Sequence, residues 1–307
     1  MSKPIKMQEH ISILVNNTCN MTCSHCAGLA MYDFVGTFKW NDYKDRYAKW
    51  AEIAEIPELS LCGGEPYLHP ELELWFTSIR NLWQDSFIEI MTNGTRLSKR
   101  IDLSRDFVQD GNACIVVSCH DVNTADKILL EIDEILRPWQ DSITTREIKE
   151  IENSQWHSIE YYLDDRIVIK YQLVTYMIPP YHKKVEKGTV YFEMNGDREE
   201  SHDACDWKTS YTFQHGLLYK CPAVTNYSEA KLQGKYEPEA TAILEKYKGC
   251  DPFDDIADVS AWVDNITKSI DVCKLCAFDK QTGPQVVPVT LDKNRKKAFR
   301  SIGVKQI

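Results

Sequence analysis

The chain lacks the features that carry a protein into or across a membrane. Nowhere in its 307 residues is there a run of about eighteen uninterrupted apolar side chains, which a membrane-spanning helix requires. The opening residues, MSKPIKMQEH, also lack the apolar core of a signal peptide. We therefore expect a cytoplasmic protein that does not partner with a membrane.

Positive charge is also scarce. Lysine and arginine together number 36 against 46 acidic residues, which gives a formal net charge of -10. Proteins that bind the phosphate backbone depend on a surplus of lysine and arginine. The composition argues against long nucleic acid as a partner, although a local basic site is compatible with it.

Cysteine, in contrast, is abundant and unevenly distributed. Eleven cysteines in a reducing compartment, an odd number, indicate metal or redox chemistry rather than disulfides. Seven of them form two groups that are far apart in the sequence. The first group is Cys19, Cys23 and Cys26, and the second is Cys205, Cys221, Cys273 and Cys276.

Apolar runs alternate with amphipathic segments over the first two thirds of the chain, a pattern typical of β-α units around a parallel sheet. We expect an α/β protein in which residues 1–195 form a partial (β/α)6 TIM-type barrel. An additional helical insertion is expected at 141–165. The expected strands are 10–17, 58–64, 87–94, 113–120, 166–176 and 189–194, and helical spacing covers 41–56, 69–84, 98–110 and 124–136.

The composition changes after about residue 195, where long apolar runs become fewer. We expect a small α+β domain over 196–285, followed by a basic C-terminal tail over 286–307. The segment YTFQHGLLYKCP predicts a β-hairpin that turns at His215-Gly216. Segments 238–249 and 259–276 predict helices.

Chemically distinctive segments follow the first four predicted strands directly. They are TCNMTCSHC (18–26), GGEP (63–66), TNG (92–94) and SCHD (118–121). In a β/α barrel these positions lie at the carboxyl ends of the strands, where active sites are built.

The spacing C-x3-C-x2-C allows one short loop to bind three irons of a 4Fe-4S cluster. The fourth iron then has no protein ligand and is open to a cofactor. A zinc site that takes His25 or a distant cysteine as its fourth ligand is the alternative for these residues.

This loop, with GGEP after the second strand, resembles the signature of the radical S-adenosylmethionine (radical SAM) superfamily over about residues 8–195. The resemblance implies that Cys19, Cys23 and Cys26 ligate the cluster and that S-adenosylmethionine (SAM) chelates the fourth iron. An external one-electron donor such as flavodoxin or ferredoxin would reduce the cluster. SAM would then be cleaved to a 5'-deoxyadenosyl radical, which abstracts hydrogen from the substrate.

The same resemblance implies roles for residues around the cofactor. Gly63, Gly64 and Glu65 would bind the amino end of SAM, Ser118 its ribose, and the His25 backbone its adenine. Two further polar side chains of the fifth strand, Lys170 and Gln172, are candidates to face cofactor or substrate. Weaker candidates to donate a hydrogen atom or proton are Cys119 and His120.

The second cysteine group has the pattern C-x10-G-x4-C followed by a distant C-x2-C, in which the glycine is Gly216. It resembles the twitch domain, the shortened form of the SPASM module. The resemblance implies that Cys205, Cys221, Cys273 and Cys276 bind one auxiliary 4Fe-4S cluster. A four-cysteine zinc is the alternative, because its ligands are the same.

These features together predict a radical SAM oxidoreductase-type enzyme that oxidatively modifies or dehydrogenates a small molecule. The auxiliary cluster would accept an electron, since a fully ligated cluster is suited to moving electrons. One alternative is modification of a ribosomally made peptide, by cross-linking or epimerisation, and another is modification of a nucleotide. The non-enzyme alternative is a zinc-stabilised binding protein.

Overall fold

A nine-stranded mixed sheet forms the centre of the computed structural model. The model describes residues 5–7, 10–23, 26, 36–149, 157–174, 176–177, 183–186, 189–192, 196–205, 208–221, 237–265, 267–276, 287–288 and 291. Within these residues no helix is long and apolar enough to span a membrane.

Six parallel strands make up the middle of the sheet, and antiparallel strands flank them on both sides. The parallel strands, in spatial order, are β13 (Tyr211–Gln214), β2 (Ile11–Asn16), β4 (Glu58–Gly63), β5 (Phe87–Thr92), β6 (Ala113–Cys119) and β9 (Arg166–Leu173). The flanking strands are β14 (Leu217–Tyr219) beside β13, and β8 (His157–Leu163) with β7 (Ile143–Lys149) beyond β9. The α/β class is confirmed, and the sheet is open, with β14 and β7 as its edges.

Alternating burial in the parallel strands assigns their two faces. In β2 the side chains of Ile11, Ile13 and Val15 are fully buried, and β4 and β5 repeat the pattern. These apolar faces join the core that the helices cover. The helices that follow β2, β4, β5 and β6 are α1 (Trp40–Ile53), α2 (Leu72–Leu82), α3 (Ile101–Gln109) and α4 (Ala125–Leu136). All four lie within the predicted segments, except that α1 begins one residue earlier.

The predicted helical insertion at 141–165 is wrong, because β7 and β8 occupy it. HSIEYYL alternates side chains between the two faces of the sheet and is rich in aromatic and β-branched residues, which favour strands. Asp164 and Asp165 have positive φ angles of 51° and 62° and connect β8 to β9 as a two-residue hairpin.

The predicted sixth barrel strand at 189–194 is also wrong. Residues Thr189–Phe192 form β12, which pairs antiparallel with β11 (Lys183–Glu186) outside the large sheet. The sixth parallel strand is instead β13, which pairs with β2 so that Tyr211 lies opposite Ile11.

The hairpin predicted around His215-Gly216 is present as β13 and β14, and both turn residues have positive φ angles, of 56° and 72°. The helix predicted at 259–276 is shorter than expected. It is divided into α7 (Ile256–Asp264) and a separate 3-10 turn over Asp271–Leu275. The remaining elements are α5 (Arg198–Asp203), α6 (Pro238–Lys246) and the short strands β1 (Ile5–Lys6), β3 (Ala54–Glu55), β10 (Tyr176–Met177) and β15 (Val287–Pro288).

Candidate functional site

The first cysteine group lies just beyond the carboxyl end of β2. Cys23 is buried and forms an antiparallel bridge with Leu291, and the Cys26 amide donates to the Cys23 carbonyl at 3.4 Å. Burial, followed by the neighbouring Cys26 and Cys19 thiols, raises the pKa of Cys23 to about 12. The three thiols are therefore close enough to interact, and a metal centre would have to displace the Cys23 proton.

The spacing of the cysteine sulfurs bears on which centre they fit. A tetrahedral zinc ion with Zn–S bonds of about 2.3 Å holds its sulfur ligands about 3.8 Å apart. No three cysteine Sγ atoms of the described residues lie within 4.8 Å of one another. Thiol donors of this kind suit either a zinc ion or an iron-sulfur centre.

The GGE segment at the end of β4 is hydrogen-bonded to the start of the cysteine loop. The Gly64 amide donates to the Asn16 carbonyl at 2.9 Å, and the Glu65 amide donates to the Thr18 carbonyl at 2.8 Å. A Cβ atom on Gly63 would lie 2.2 Å from the Asn16 carbonyl oxygen, and one on Gly64 would lie 2.3 Å from that of Thr18. Glycine is needed at both positions because the two backbones are in direct contact.

Glu65 is fully buried, and hydrogen bonds from the chain itself surround its carboxylate. Oε1 accepts from the Tyr67 amide at 3.0 Å and from Thr92 Oγ1 at 2.7 Å. Oε2 accepts from the Asn93 amide at 2.7 Å. Burial raises the pKa of Glu65, and these donors oppose that increase. The side chain ties the end of β4 to the end of β5.

Asn93, which follows β5, connects this network to the first cysteine. Its Nδ2 lies 3.9 Å from Cys19 Sγ and donates to Asn20 Oδ1 at 3.0 Å. Asn20 in turn donates to Thr95 Oγ1 at 2.7 Å. The position of Asn93 in TNG, after the third predicted strand, is as consistent with shaping the turn as with contacting a ligand.

The cysteine loop is closed at its base. The Asn17 amide donates to the Gly36 carbonyl at 2.9 Å, and the Gly36 amide donates to Thr18 Oγ1 at 3.0 Å. An antiparallel bridge joins Asn16 to Thr37. His25, the predicted adenine contact, lies outside the described residues.

The face of the sheet that does not carry the buried aliphatic residues is polar. Ser118 of β6 and Gln172 of β9 are register partners on it, and both are half-buried. Ser60 donates to Glu89 Oε2 at 3.0 Å on the same face. Burial, with Glu58 nearby, raises the pKa of Glu89, whereas His10 and Lys170 lower it. The predicted residues Ser118, Lys170 and Gln172 therefore share one surface with further ionisable groups.

Cys119 and His120 do not lie with Ser118. Cys119 is completely buried, and its Sγ donates to the Asp121 carbonyl at 3.3 Å, within the core that includes the helices. His120 places Nδ1 at 3.2 Å from the Val174 carbonyl, and burial lowers its pKa. Cys119 therefore lies on the opposite face of β6 from Ser118 and from any molecule bound against Ser118.

The second cysteine group surrounds a small cavity. Cys205 follows α5, Cys221 follows β14, and the other two belong to the 3-10 turn and the residue after it. Lys220 and His202, which the sequence analysis did not select, line the same cavity. The cysteines that line it are Cys205, Cys221, Cys273 and Cys276. Cys250 instead forms a bridge with Leu218 of β14.

The two cysteine groups lie at opposite ends of neighbouring strands. Because β13 runs parallel to β2, the residues just before β13 and just after β14 lie near the amino end of β2. Cys19 lies beyond the carboxyl end of β2. The six residues of β2, at about 3.3 Å each, separate these ends by about 20 Å.

Comparisons with known proteins found similarity among solved structures. No family profile matches the chain, and no curated protein matches it. BtrN in complex with AdoMet (SAM) and 2-DOIA is 15% identical, covers 87% of this chain and 92% of its own, and gives a TM-score of 0.47. An open conformation of BtrN is 24% identical over 40% of this chain, with a TM-score of 0.31.

A third similar structure is anSMEcpe with bound AdoMet and the Cp18Cys peptide. It is 16% identical over 43% of this chain, with a TM-score of 0.33. The chain spans 53% of the open BtrN chain and 41% of the anSMEcpe chain. At these identities and scores, what this chain does has to be inferred from its own residues.

Proposed function

We propose that this chain is a radical SAM enzyme in which Cys19, Cys23 and Cys26 hold a 4Fe-4S cluster with one open iron. The similar solved structures are radical SAM enzymes. The observation that carries the proposal is the loop itself, in which three thiols follow the first strand of the large sheet and the thiols of Cys19 and Cys26 lie close enough to act on Cys23.

The chain's own residues would position the cluster and SAM. When bound, this pair supplies a 5'-deoxyadenosyl radical that abstracts hydrogen from a substrate. The Gly63-Gly64 backbone would lie against the amino end of SAM, since the Glu65 carboxylate is occupied by chain donors. Asn93 would donate toward the Cys19 sulfur. Ser118 and Gln172 would contact the ribose or the substrate on the polar face.

The second proposal concerns Cys205, Cys221, Cys273 and Cys276, which would bind a fully ligated auxiliary 4Fe-4S cluster. Their convergence on one cavity supports a shared centre. A substrate against the polar face would lie between the two centres. We propose that it is a small hydroxylated or amino compound, oxidised by two electrons, one of which passes to the auxiliary cluster.

Anaerobic reconstitution tests this function. The wild-type chain should bind about eight irons and cleave SAM to 5'-deoxyadenosine under a strong reductant. The variant C19A/C23A/C26A should retain about four irons and lose cleavage. Cys250→Ala is the matched control, because it removes a buried cysteine outside both groups and should retain both properties.

Two results would refute the proposal. A colourless protein that binds zinc in both sites would identify a structural metalloprotein. Cleavage of SAM that survives the triple substitution would show that other residues hold the catalytic cluster.

A further inference from the structure

We propose that Lys220, held by His202, is a positioning residue that supplies a buried positive charge to the second cysteine site and raises the reduction potential of its centre. The inference rests on the proposed auxiliary cluster. It concerns two residues that neither cysteine pattern contains.

Lys220 is unusually buried for a lysine. Only 5% of its surface is exposed, although it stands between the last residue of β14 and the ligand candidate Cys221. Its amide donates to the Tyr247 hydroxyl at 2.8 Å, which fixes the backbone at this point. The side chain extends to the cavity that the four cysteines line.

The ammonium group of Lys220 has a specific neutral partner. Its Nζ lies 3.3 Å from His202 Nε2, and both residues are buried. Because a protonated lysine can only donate, His202 Nε2 is the acceptor in this pair. His202 therefore orients the ammonium group without neutralising its charge.

Negative charge for Lys220 comes from sulfur rather than from carboxylate. No ion pair with a carboxylate is formed by Lys220 in the described part of the chain, and a buried cation without a counter-charge is costly. Burial lowers the pKa of Lys220, and the groups that oppose this decrease most are Cys273, Cys221 and Cys205, in that order. Glu199, which is itself paired with Arg198, contributes less than any of these thiols.

A buried lysine in this setting is explained if the four cysteines are thiolates that bind a negatively charged centre. One-electron reduction adds a further negative charge to that centre. A fixed positive charge nearby stabilises the reduced state more than the oxidised state, and low exposure limits screening by water. The centre then accepts one electron more readily from the substrate radical that is being oxidised.

The test is an EPR-monitored redox titration of the C19A/C23A/C26A chain at a fixed pH, because its second centre is then the only iron site. Lys220→Gln should shift the midpoint potential to a more negative value, and Lys220→Arg should stay near the parent value. Lys208→Gln is the matched control. Lys208 lines the same cavity but is exposed, so the solvent screens its charge and its loss should produce a much smaller shift.

A second variant covers the case in which Lys220→Gln fails to fold or to bind iron. His202→Glu places a carboxylate beside Nζ and should also shift the potential to a more negative value. An unchanged potential in whichever variant loads would overturn the role of Lys220 while leaving the auxiliary cluster in place. Absence of iron from the parent chain would instead refute the proposed function of the second site.

Discussion

At the scale of single residues, Glu65 shows what spacing in a sequence can and cannot identify. The GGE resemblance assigns it to a cofactor amino group, whereas three donors of the chain occupy its carboxylate. Sequence spacing identified Glu65 but could not identify all its partners, because two of them, Thr92 and Asn93, come from β5 and the residue after β5. The same holds for Lys220, which a sequence places beside a cysteine without indicating that it is buried.

Glu65→Gln should lower the free energy of unfolding by about 1–3 kcal/mol. A glutamine side chain has one acceptor oxygen and one NH2 group. In either orientation, the NH2 group would face at least one of the donors that Tyr67, Thr92 and Asn93 supply. Urea denaturation measures the effect. Glu52→Gln, on an exposed and weakly paired side chain, should change stability by no more than about 0.5 kcal/mol. Equal stability of Glu65→Gln and wild type would mean that the native carboxyl group is protonated.

At the scale of elements, the periodic spacing of apolar residues predicted most of the strands and helices of the α/β core. Strands β2, β4, β5, β6 and β9 lie within their predicted segments because each alternates or continues an apolar run before turn residues. The error at 141–165 arose because β7, the edge strand, is charged and has little apolar signal, and because the pairing of β8 with β7 and β9 is not visible in a local pattern. The sixth strand was misassigned because the pairing of β13 with β2 joins residues about 200 positions apart, which local pattern does not encode.

The end of β4 offers an element-level test. Gly63 has a φ of +143°, and a Cβ atom there would overlap the Asn16 backbone. Gly63→Ala should cost about 3 kcal/mol through backbone strain and displacement of the cysteine loop. Gly111→Ala is the control, since nothing lies within 4 Å of the added Cβ atom.

Thermal and urea unfolding would compare the two glycine variants. A Gly63→Ala protein as stable as Gly111→Ala would show that β4 and the start of the cysteine loop do not need this contact.

At the scale of the whole molecule, the hairpin of the second cysteine group is part of the large sheet and contacts its first helix. Trp50 Nε1 donates to the Gly216 carbonyl at 2.9 Å, and Arg46 donates to the His215 carbonyl at 3.2 Å. Arg46 also pairs with Asp251 at 3.1 Å. The contacts link α1 to the strand pair that precedes Cys221.

Trp50→Phe should remove a buried hydrogen bond and lower the free energy of unfolding by about 1–3 kcal/mol. Because the Gly216 carbonyl belongs to the hairpin, iron loading of the second site should fall more than that of the first. Iron analysis with EPR measures both. Trp139→Phe serves as the control, because its ring makes no hydrogen bond in the described residues, and equal losses at both sites would contradict the coupling.

The closed base of the cysteine loop has a consequence for assembly. In small zinc-binding modules, capture of the metal and acquisition of structure are a single event. Here hydrogen bonds among Asn17, Thr18 and Gly36 hold the two ends of the loop together. These protein contacts offset the entropic cost of closing the loop. For the proposed 4Fe-4S centre, these contacts predict that iron and sulfide reach a loop whose ends are already joined and need not guide the chain to its native topology.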